Sequence, residues 1–413
     1  MMDNAPATTV VVTGLGAMTA AGRGVPLLWD AALQGTSLAQ WREAERAREM
    51  RSAVCSAPQF ELDLPKLGRL RQMDRSVQLA GMAALEAWQN AALPGRALIP
   101  ERIAIFVGSS RGPLGTVLDS HAAYTTGERV WPSFAPNNTF GCVSGALSTV
   151  FEARGPCLTI SAACASSAMA LALAAQQIVA GSADVVLAGG ADAPLHDLLL
   201  AQLRSARLLA SHPDPRLACR PFDAARNGAV LGEGAAFLVL ESLASARKRG
   251  APIYARLAGW AMNSEGSERT GVSADNASLY RSMRDALTMA AATPADVGYI
   301  NAHGTGTQLN DRMEAEAIDR LGAGKLRIAT SSTKPVTGHC MGAAAAIEAV
   351  ICVLALERQS LPPSANCEDP AVDCPLDLVL NRPRQSTVKA VLSNSAGFWG
   401  NNASLLFTPP PSL

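Results

Sequence analysis

A chain of 413 residues can bury about three quarters of the surface its unfolded form exposes, and length alone suggests about two or three domains unless two halves share one core. A hydrophobic fraction of 48% against 17% charged residues describes a compact globular protein, with 34 glycines and 25 prolines scattered rather than gathered in tracts. Lys plus Arg and Asp plus Glu each total 35, so no global basic field favours nucleic acid or a membrane surface.

Residues 1–12 lack a basic leader region and pass quickly into a β-branched run from Thr8 to Val12, unlike a secretion signal. The longest apolar stretch, residues 343–356, is interrupted by Glu348 and is too short to span a bilayer, so a cytoplasmic protein without membrane contact is expected. After the first strand, Gly14-Leu15-Gly16 reads as a tight turn, because the third glycine of a dinucleotide fingerprint would fall at Thr19. Further strands are expected at 103–107, 158–160, 185–188, 236–240, 253–257, 299–302, 328–331 and 390–393, alternating with alanine-rich helical stretches, the pattern of an α/β protein.

Gly108-Ser109-Ser110-Arg111-Gly112 follows one of these strands and fits the nucleophile elbow of a serine hydrolase. Gly112, Pro113 and Gly115 make a poor first helical turn behind Ser110, which weakens that reading. Residues 157–190 are more legible: a short strand, a turn at 161–164, an Ala/Leu-rich helix to about Ala180, Gly181 as a stop, and a strand from Asp184. A looser copy follows late in the chain, with a strand at 328–331, a loop through Lys334 and His339, and a helix from about Gly342 to Leu356. The division expected is residues 1–252, carrying a nucleophilic cysteine, and residues 253–413, carrying two catalytic histidines.

None of the nine cysteines shows the two-residue spacing of structural zinc sites, and no metal is expected. Most read as buried thiols acting as small hydrophobes. Cys164 differs, standing in Thr159-Ile160-Ser161-Ala162-Ala163-Cys164-Ala165-Ser166-Ser167-Ala168 at a strand-to-helix junction among small residues that admit a substrate. A helix N-terminus there is expected to favour thiolate and lower the thiol's pKa from its ordinary value of about 8.5. Of five histidines, His303 and His339 lie in glycine-framed loops that follow strands, Asn301-Ala302-His303-Gly304-Thr305-Gly306-Thr307 and Lys334-Pro335-Val336-Thr337-Gly338-His339. Two such loops point to a shared site.

Together with Pro221-Phe222-Asp223, residues 228–234, Ser331-Ser332-Thr333-Lys334 and Asn394-Ser395-Ala396-Gly397-Phe398, these segments resemble the elongating β-ketoacyl-acyl carrier protein synthases of the thiolase superfamily. The resemblance runs over nearly the whole chain. It implies a five-layered αβαβα fold built from two related halves, a dimer, and decarboxylative Claisen condensation of an acyl thioester with malonyl-acyl carrier protein. It also implies no cofactor of the enzyme's own, the phosphopantetheine arm of the carrier protein bringing the substrate. Under it Cys164 is the nucleophile, His303 and His339 donate to the malonyl thioester carbonyl, and Lys334 orders the histidines with Asp311 and Glu314 as supporting partners. The N–H groups of Cys164 and Phe398 form an oxyanion hole, Phe398 gates the acyl and malonyl pockets, and Thr305, Thr307 and Thr270 contact pantetheine.

Two departures bear on the substrate. Trp399 follows Phe398 where fatty acid members usually carry glycine, and a bulky indole there is expected to restrict the gate. Arg111 falls in the loop that in the family it resembles lies near the acyl pocket, where apolar or small residues are usual and a charge is poorly tolerated by a long saturated chain unless paired. A polyketide or polyene pathway is therefore expected, with fatty acid elongation as the alternative. A serine hydrolase using Ser110 and a non-catalytic partner subunit are the competing classes. Lys66, Arg69 and Arg71, with Arg204 and Arg207, are candidates for docking an acidic carrier protein. The partner is expected to be an identical chain or a chain-length-factor-like subunit.

Overall fold

The structure is a computed structural model that describes residues 8–43, 51–62, 65–266 and 276–411. Ten strands form the framework: β1 (Val10–Thr19), β2 (Ile103–Gly108), β3 (Cys157–Ile160), β4 (Val185–Asp192), β5 (Gly234–Ser242), β6 (Ala255–Ser264), β7 (Tyr299–Asn301), β8 (Ala329–Ser331), β9 (Val391–Gly397) and β10 (Asn401–Thr408). They lie in the order β8-β7-β9-β10-β6-β1-β5-β4-β2-β3. On one side of the β1/β6 junction, β2 runs parallel to β3 and β4, and β5 and β1 follow antiparallel. The other side repeats this: β7 runs parallel to β8 and β9, and β10 and β6 follow antiparallel. Within the sheet the halves join through Val11 opposite Arg256 and Val12 opposite Ala255.

Six helices matter for the site: α1 (Arg75–Asn90), α2 (Ser166–Val179), α3 (Asp197–Ser205), α4 (Ala277–Met289), α5 (Gln308–Leu321) and α6 (Ala344–Arg358). α2 and α6 pack against each other and touch strands of both halves, α2 meeting β4 and β10 and α6 meeting β9 and β5. A helix apolar all round suits such a place, and every residue of α6 from Ala344 to Leu356 is buried, Glu348 included. Outside the sheets, α1 covers β1 and β5, while α4 lies on β6 and β10 with α5 beside it. The layers read αβαβα, as the resemblance implies. No described helix is long and apolar enough to cross a membrane.

The glycine pair near the start corrects one expectation. Gly14 and Gly16 form no turn, since β1 continues through both to Thr19 with a bulge between Val12 and Gly14. At the bulge a Cβ on Gly14 would stand 2.2 Å from the Ala87 carbonyl oxygen of α1, and one on Gly16 2.0 Å from that of Ala83. The second half carries the same device, a bulge between Leu257 and Gly259, where a Cβ would stand 2.1 Å from the Ala286 carbonyl of α4. Glycine here lets a helix backbone settle directly on a strand. The bulge, the glycine and the strand order recur together, which is what two related halves require.

Candidate active site

Parallel strands deliver their C-terminal ends to one edge of each half, and the reactive residues leave from there. Cys164 follows β3 after a turn in which Ala163 adopts φ 50°, a left-handed conformation costly for a residue with a Cβ and typical of constrained functional positions. His303 follows β7, and Lys334 and His339 follow β8. His339 Nε2 lies 3.1 Å from Cys164 Sγ. The rings of His303 and His339 meet edge to face with centroids 5.3 Å apart. One thiol and two imidazoles from distant loops thus converge, with donor atoms within 4.8 Å of one another.

All three residues are at least nine-tenths buried, and burial sets their protonation. Desolvation pushes the Cys164 thiol up to about 12, against the opposing positive charges of Lys334 and Arg111. The expected depression by a helix N-terminus is not met, because α2 begins only at Ser166 and loss of water dominates at a sulfur 5% exposed. Burial and the neighbouring Lys334 charge hold His339 down to about 3 and His303 well below the usual imidazole range. Both rings are therefore neutral at physiological pH.

Their tautomers follow from their neighbours. The Lys334 ammonium sits 3.4 Å from His303 Nδ1 and also donates to the His303 carbonyl. A cationic donor makes Nδ1 an acceptor and leaves the proton on Nε2. His339 Nδ1 is buried with no partner. A buried N–H without an acceptor is rarer than a lone pair without a donor, so the His339 proton also belongs on Nε2, facing Cys164. The site presents two neutral N–H donors beside one thiol.

Lys334 is itself held by Glu348 Oε1 at 2.5 Å, the two side chains 1% and 2% exposed. Glu348 was not singled out by its loop motifs. Its signal was the lone carboxylate in the apolar face of a buried helix. Asp311 and Glu314 serve the neighbouring loop rather than Lys334. Glu314 accepts from the N–H groups of His303 and Gly304 at 2.7 and 2.8 Å, and Asp311 accepts from Phe222, Thr305 and Gly306. The reason is geometric, since the first turns of α5 lie directly under that loop. Burial raises Glu314 to about 7 despite these bonds.

A largely apolar pocket of 280 Å³ opens onto the trio, walled by Leu203, Leu208, Leu231, Met341 and Phe398, with Thr305 and Thr307 along its polar side. The Thr305 and Thr307 hydroxyls lie 2.9 Å apart, whereas Thr270 falls outside the described residues. Gly397 abuts Cys164, a Cβ there standing 3.0 Å from the Cys164 nitrogen, so the Gly397-Phe398 step borders the sulfur. Trp399 does not crowd this gate. Its φ of 65° turns the chain and leaves the side chain 60% exposed.

The elbow motif at Ser110 carries no catalytic set, since its Oγ has no hydrogen-bond partner and the next helix begins only at Leu114. The loop is instead clasped by buried Asp192, which accepts from Ser109 Oγ, from the N–H groups of Ser110 and Arg111, and from Gly342 N–H. Arg111 does not turn into an ion pair among the described residues, and its Nε is buried without a partner. Of the docking candidates, Lys66, Arg69, Arg71 and Arg207 are exposed, while Arg204 is half-buried and donates to the Arg51 carbonyl and Ser52 Oγ. Arg204 and Arg207 flank pocket residues Leu203, Ala206 and Leu208, whereas Arg69 borders a separate cavity with Met73 and Cys142.

Known proteins resemble this chain in both sequence and fold. The chain is 36% identical over 417 residues to a putative polyketide beta-ketoacyl synthase 1 of Streptomyces halstedii, covering 97% of this chain and 98% of that one. It is 35% identical to a 3-oxoacyl-[acyl-carrier-protein] synthase 2 of Coxiella burnetii, over 97% and 98%. Among solved structures, a type II polyketide synthase acyl-carrier protein in complex with its ketosynthase bound to the hexaketide matches with TM-score 0.90 and 30% identity, over 98% of this chain and 100% of that one. The ishigamide ketosynthase/chain length factor matches with TM-score 0.90 and 32% identity, over 98% and 99%. Residues 7–246 match the family model of the beta-ketoacyl synthase N-terminal domain and residues 254–368 that of the C-terminal domain. With sequence, fold and the two domain matches in agreement over almost its full length, the chain belongs to the beta-ketoacyl synthase family.

Proposed function

We propose that this protein carries out decarboxylative Claisen condensation on carrier-bound thioesters in polyketide chain elongation. The observation that carries the reading is the convergence of Cys164, His303 and His339 at the foot of one pocket. Cys164 sulfur attacks the acyl thioester of a carrier protein, the carrier thiol leaves with the proton, and the acyl group stays on Cys164. Malonyl thioester then loses carbon dioxide, and negative charge develops on its thioester oxygen. The Nε2–H groups of His303 and His339 are already aimed where that charge appears, and a donor that need not reorganise lowers the barrier most. The enolate carbon bonds to the acyl carbon, Cys164 thiolate is expelled, and it takes up a proton.

Lys334 and Glu348 position His303 in this scheme, and Phe398 together with the Cys164 N–H borders the acyl oxygen. Thr305 and Thr307 line the path for the phosphopantetheine arm, and Thr270 belongs to the same reading. The division between residues 1–252 and 253–413 is part of it too, supported by the gap at 247–253 between the two family matches. The nine cysteines, all free, suit a reducing cytoplasm.

Two partners fit. An acidic carrier protein suits the exposed Lys66, Arg69, Arg71 and Arg207. A second ketosynthase-type chain, identical or chain-length-factor-like, suits the open edge of β3, where Leu158 is 51% exposed. The intact trio argues against a vestigial, non-catalytic subunit. Intact mass spectrometry after incubation with acyl-carrier thioester tests the reading: the wild type gains one acyl mass, Cys164→Ala gains none, and Cys164→Gln still decarboxylates malonyl carrier. Acylation that persists in Cys164→Ala sinks it.

A further inference from the structure

Resting on the condensing-enzyme reading, we propose that Arg111 selects acyl groups carrying a carbonyl oxygen near the thioester, namely unreduced 3-oxoacyl chains, by donating to that oxygen from its guanidinium. Three observations lead there. β2 and β3 are adjacent parallel strands, Gly108 lying opposite Ile160 and Ser109 N–H donating to the Ile160 carbonyl at 3.0 Å. The loop bearing Ser110 and Arg111 and the turn bearing Cys164 therefore leave the sheet side by side. Second, the loop is fixed: Asp192 binds its backbone and, through Gly342 N–H at 2.7 Å, ties it to the segment whose Met341 walls the pocket. Third, Arg111 Nε and Ser110 Oγ, neighbours in this loop, are both buried and both lack a partner.

A buried guanidinium nitrogen without an acceptor carries a desolvation penalty that nothing within the described residues offsets. A saturated acyl chain on Cys164 offers no acceptor. A 3-oxoacyl chain does, and it is the product of one condensation returned as the substrate of the next. The reaction class placed before each round is thus another condensation and not a reduction. The Arg111 charge also favours thiolate on Cys164.

The test compares the rates at which 3-oxobutyryl- and butyryl-N-acetylcysteamine thioesters acylate Cys164, each divided by its rate with free N-acetylcysteine to remove intrinsic reactivity. A hydrogen bond to a charged donor corresponds to a preference of about tenfold or more for the 3-oxo thioester in the wild type. Arg111→Met brings the ratio to within about twofold of one, and Arg111→Lys, which keeps the charge and loses the fork, leaves it between. A wild-type ratio near one, or a ratio unchanged in Arg111→Met, overturns the proposal. If Arg111→Met does not fold, the wild-type and Arg111→Lys ratios decide. Failure of both thioesters to acylate a Cys164 that iodoacetamide still alkylates overturns the condensing-enzyme reading itself.

Discussion

Lys334 and Glu348 form an ion pair at 2.5 Å in the interior, and the same ammonium fixes the acceptor role of His303 Nδ1. Glu348 comes from α6, the helix that touches strands of both halves, so the orientation of the His303 imidazole is anchored in the middle of the molecule rather than in its own loop.

Breaking that pair from one side strands a charge. Lys334→Met or Glu348→Leu alone costs about 3–5 kcal/mol of stability, while the double variant Lys334→Met/Glu348→Leu recovers most of it. Recovered stability does not restore function, because His303 has then lost the donor that sets its tautomer. In urea unfolding followed alongside malonyl decarboxylation, the double variant unfolds near the wild-type midpoint and remains slow by about 100-fold or more. Recovery of both together contradicts the positioning role.

Decarboxylation should be insensitive to imidazole titration. His339 is held down to about 3 and His303 is shifted the same way, so both stay neutral from pH 5.5 to 8. A Cys164→Gln variant assayed for malonyl decarboxylation shows a flat profile over that window. An acid limb centred near the ordinary histidine value of about 6.5 contradicts neutral donors. For stability the sign is opposite in reach: the unfolded chain takes up these protons near pH 6.5 and the folded one does not, so stability present above that pH falls progressively below it.

The convergence of the trio was largely legible in the sequence, and its support was not. Cys164, His303 and His339 stand out because small neighbours and glycine-framed loops, the settings that admit a ligand, are local patterns. Asp192 acts on partners more than 80 residues away, Glu348 acts on Lys334 from the next helix, and a buried carboxylate leaves no local signature beyond being out of place. Asp311 and Glu314 were visible as acids near a histidine loop, yet only the seating of α5 reveals that backbone N–H groups, not Lys334, occupy them. β10 is obscured by its polar start, Asn401-Asn402-Ala403-Ser404, whose side chains find partners within the sheet, such as Ser404 Oγ donating to Asn394 Oδ1 at 3.0 Å.

Alkaline conditions should destabilise the fold before they activate the nucleophile. Burial pushes Cys164 and Cys219 up to about 12 and moves Cys55 and Cys340 the same way. The unfolded chain releases these protons near pH 8.5, so above that value each such thiol removes about 1.4 kcal/mol per pH unit. With reductant present, the urea midpoint falls steadily from pH 8.5 to 9.5, while iodoacetamide alkylation of Cys164 in the folded protein rises about tenfold per unit without levelling below pH 9.5. A plateau near pH 7 would refute the raised thiol.

The matched glycines offer a test of the two-half construction that stays clear of the active site. Gly14→Ala drives a Cβ into the Ala87 carbonyl and Gly259→Ala drives one into the Ala286 carbonyl, and in both cases the obstacle is helix backbone that no side-chain rotation relieves. Each substitution forces its helix outward and costs about 1–3 kcal/mol, the range for overpacking. α1 also holds β1 through Asn90, which accepts from Leu15 N–H at 2.9 Å, and through Glu86, which accepts from Ala17 and Val25 N–H at 2.8 and 2.9 Å. α4 is tied to its strands likewise, Asn263 Nδ2 donating to the Ser278 carbonyl at 2.8 Å and Ser282 Oγ to Ser404 Oγ at 2.9 Å, so Gly14→Ala and Gly259→Ala both lower the melting temperature. Acylation of Cys164 per folded molecule is unchanged in both, because neither glycine borders the pocket. If either variant melts with the wild type, its helix is not seated on the strand at that glycine, and the glycine is not what permits the packing.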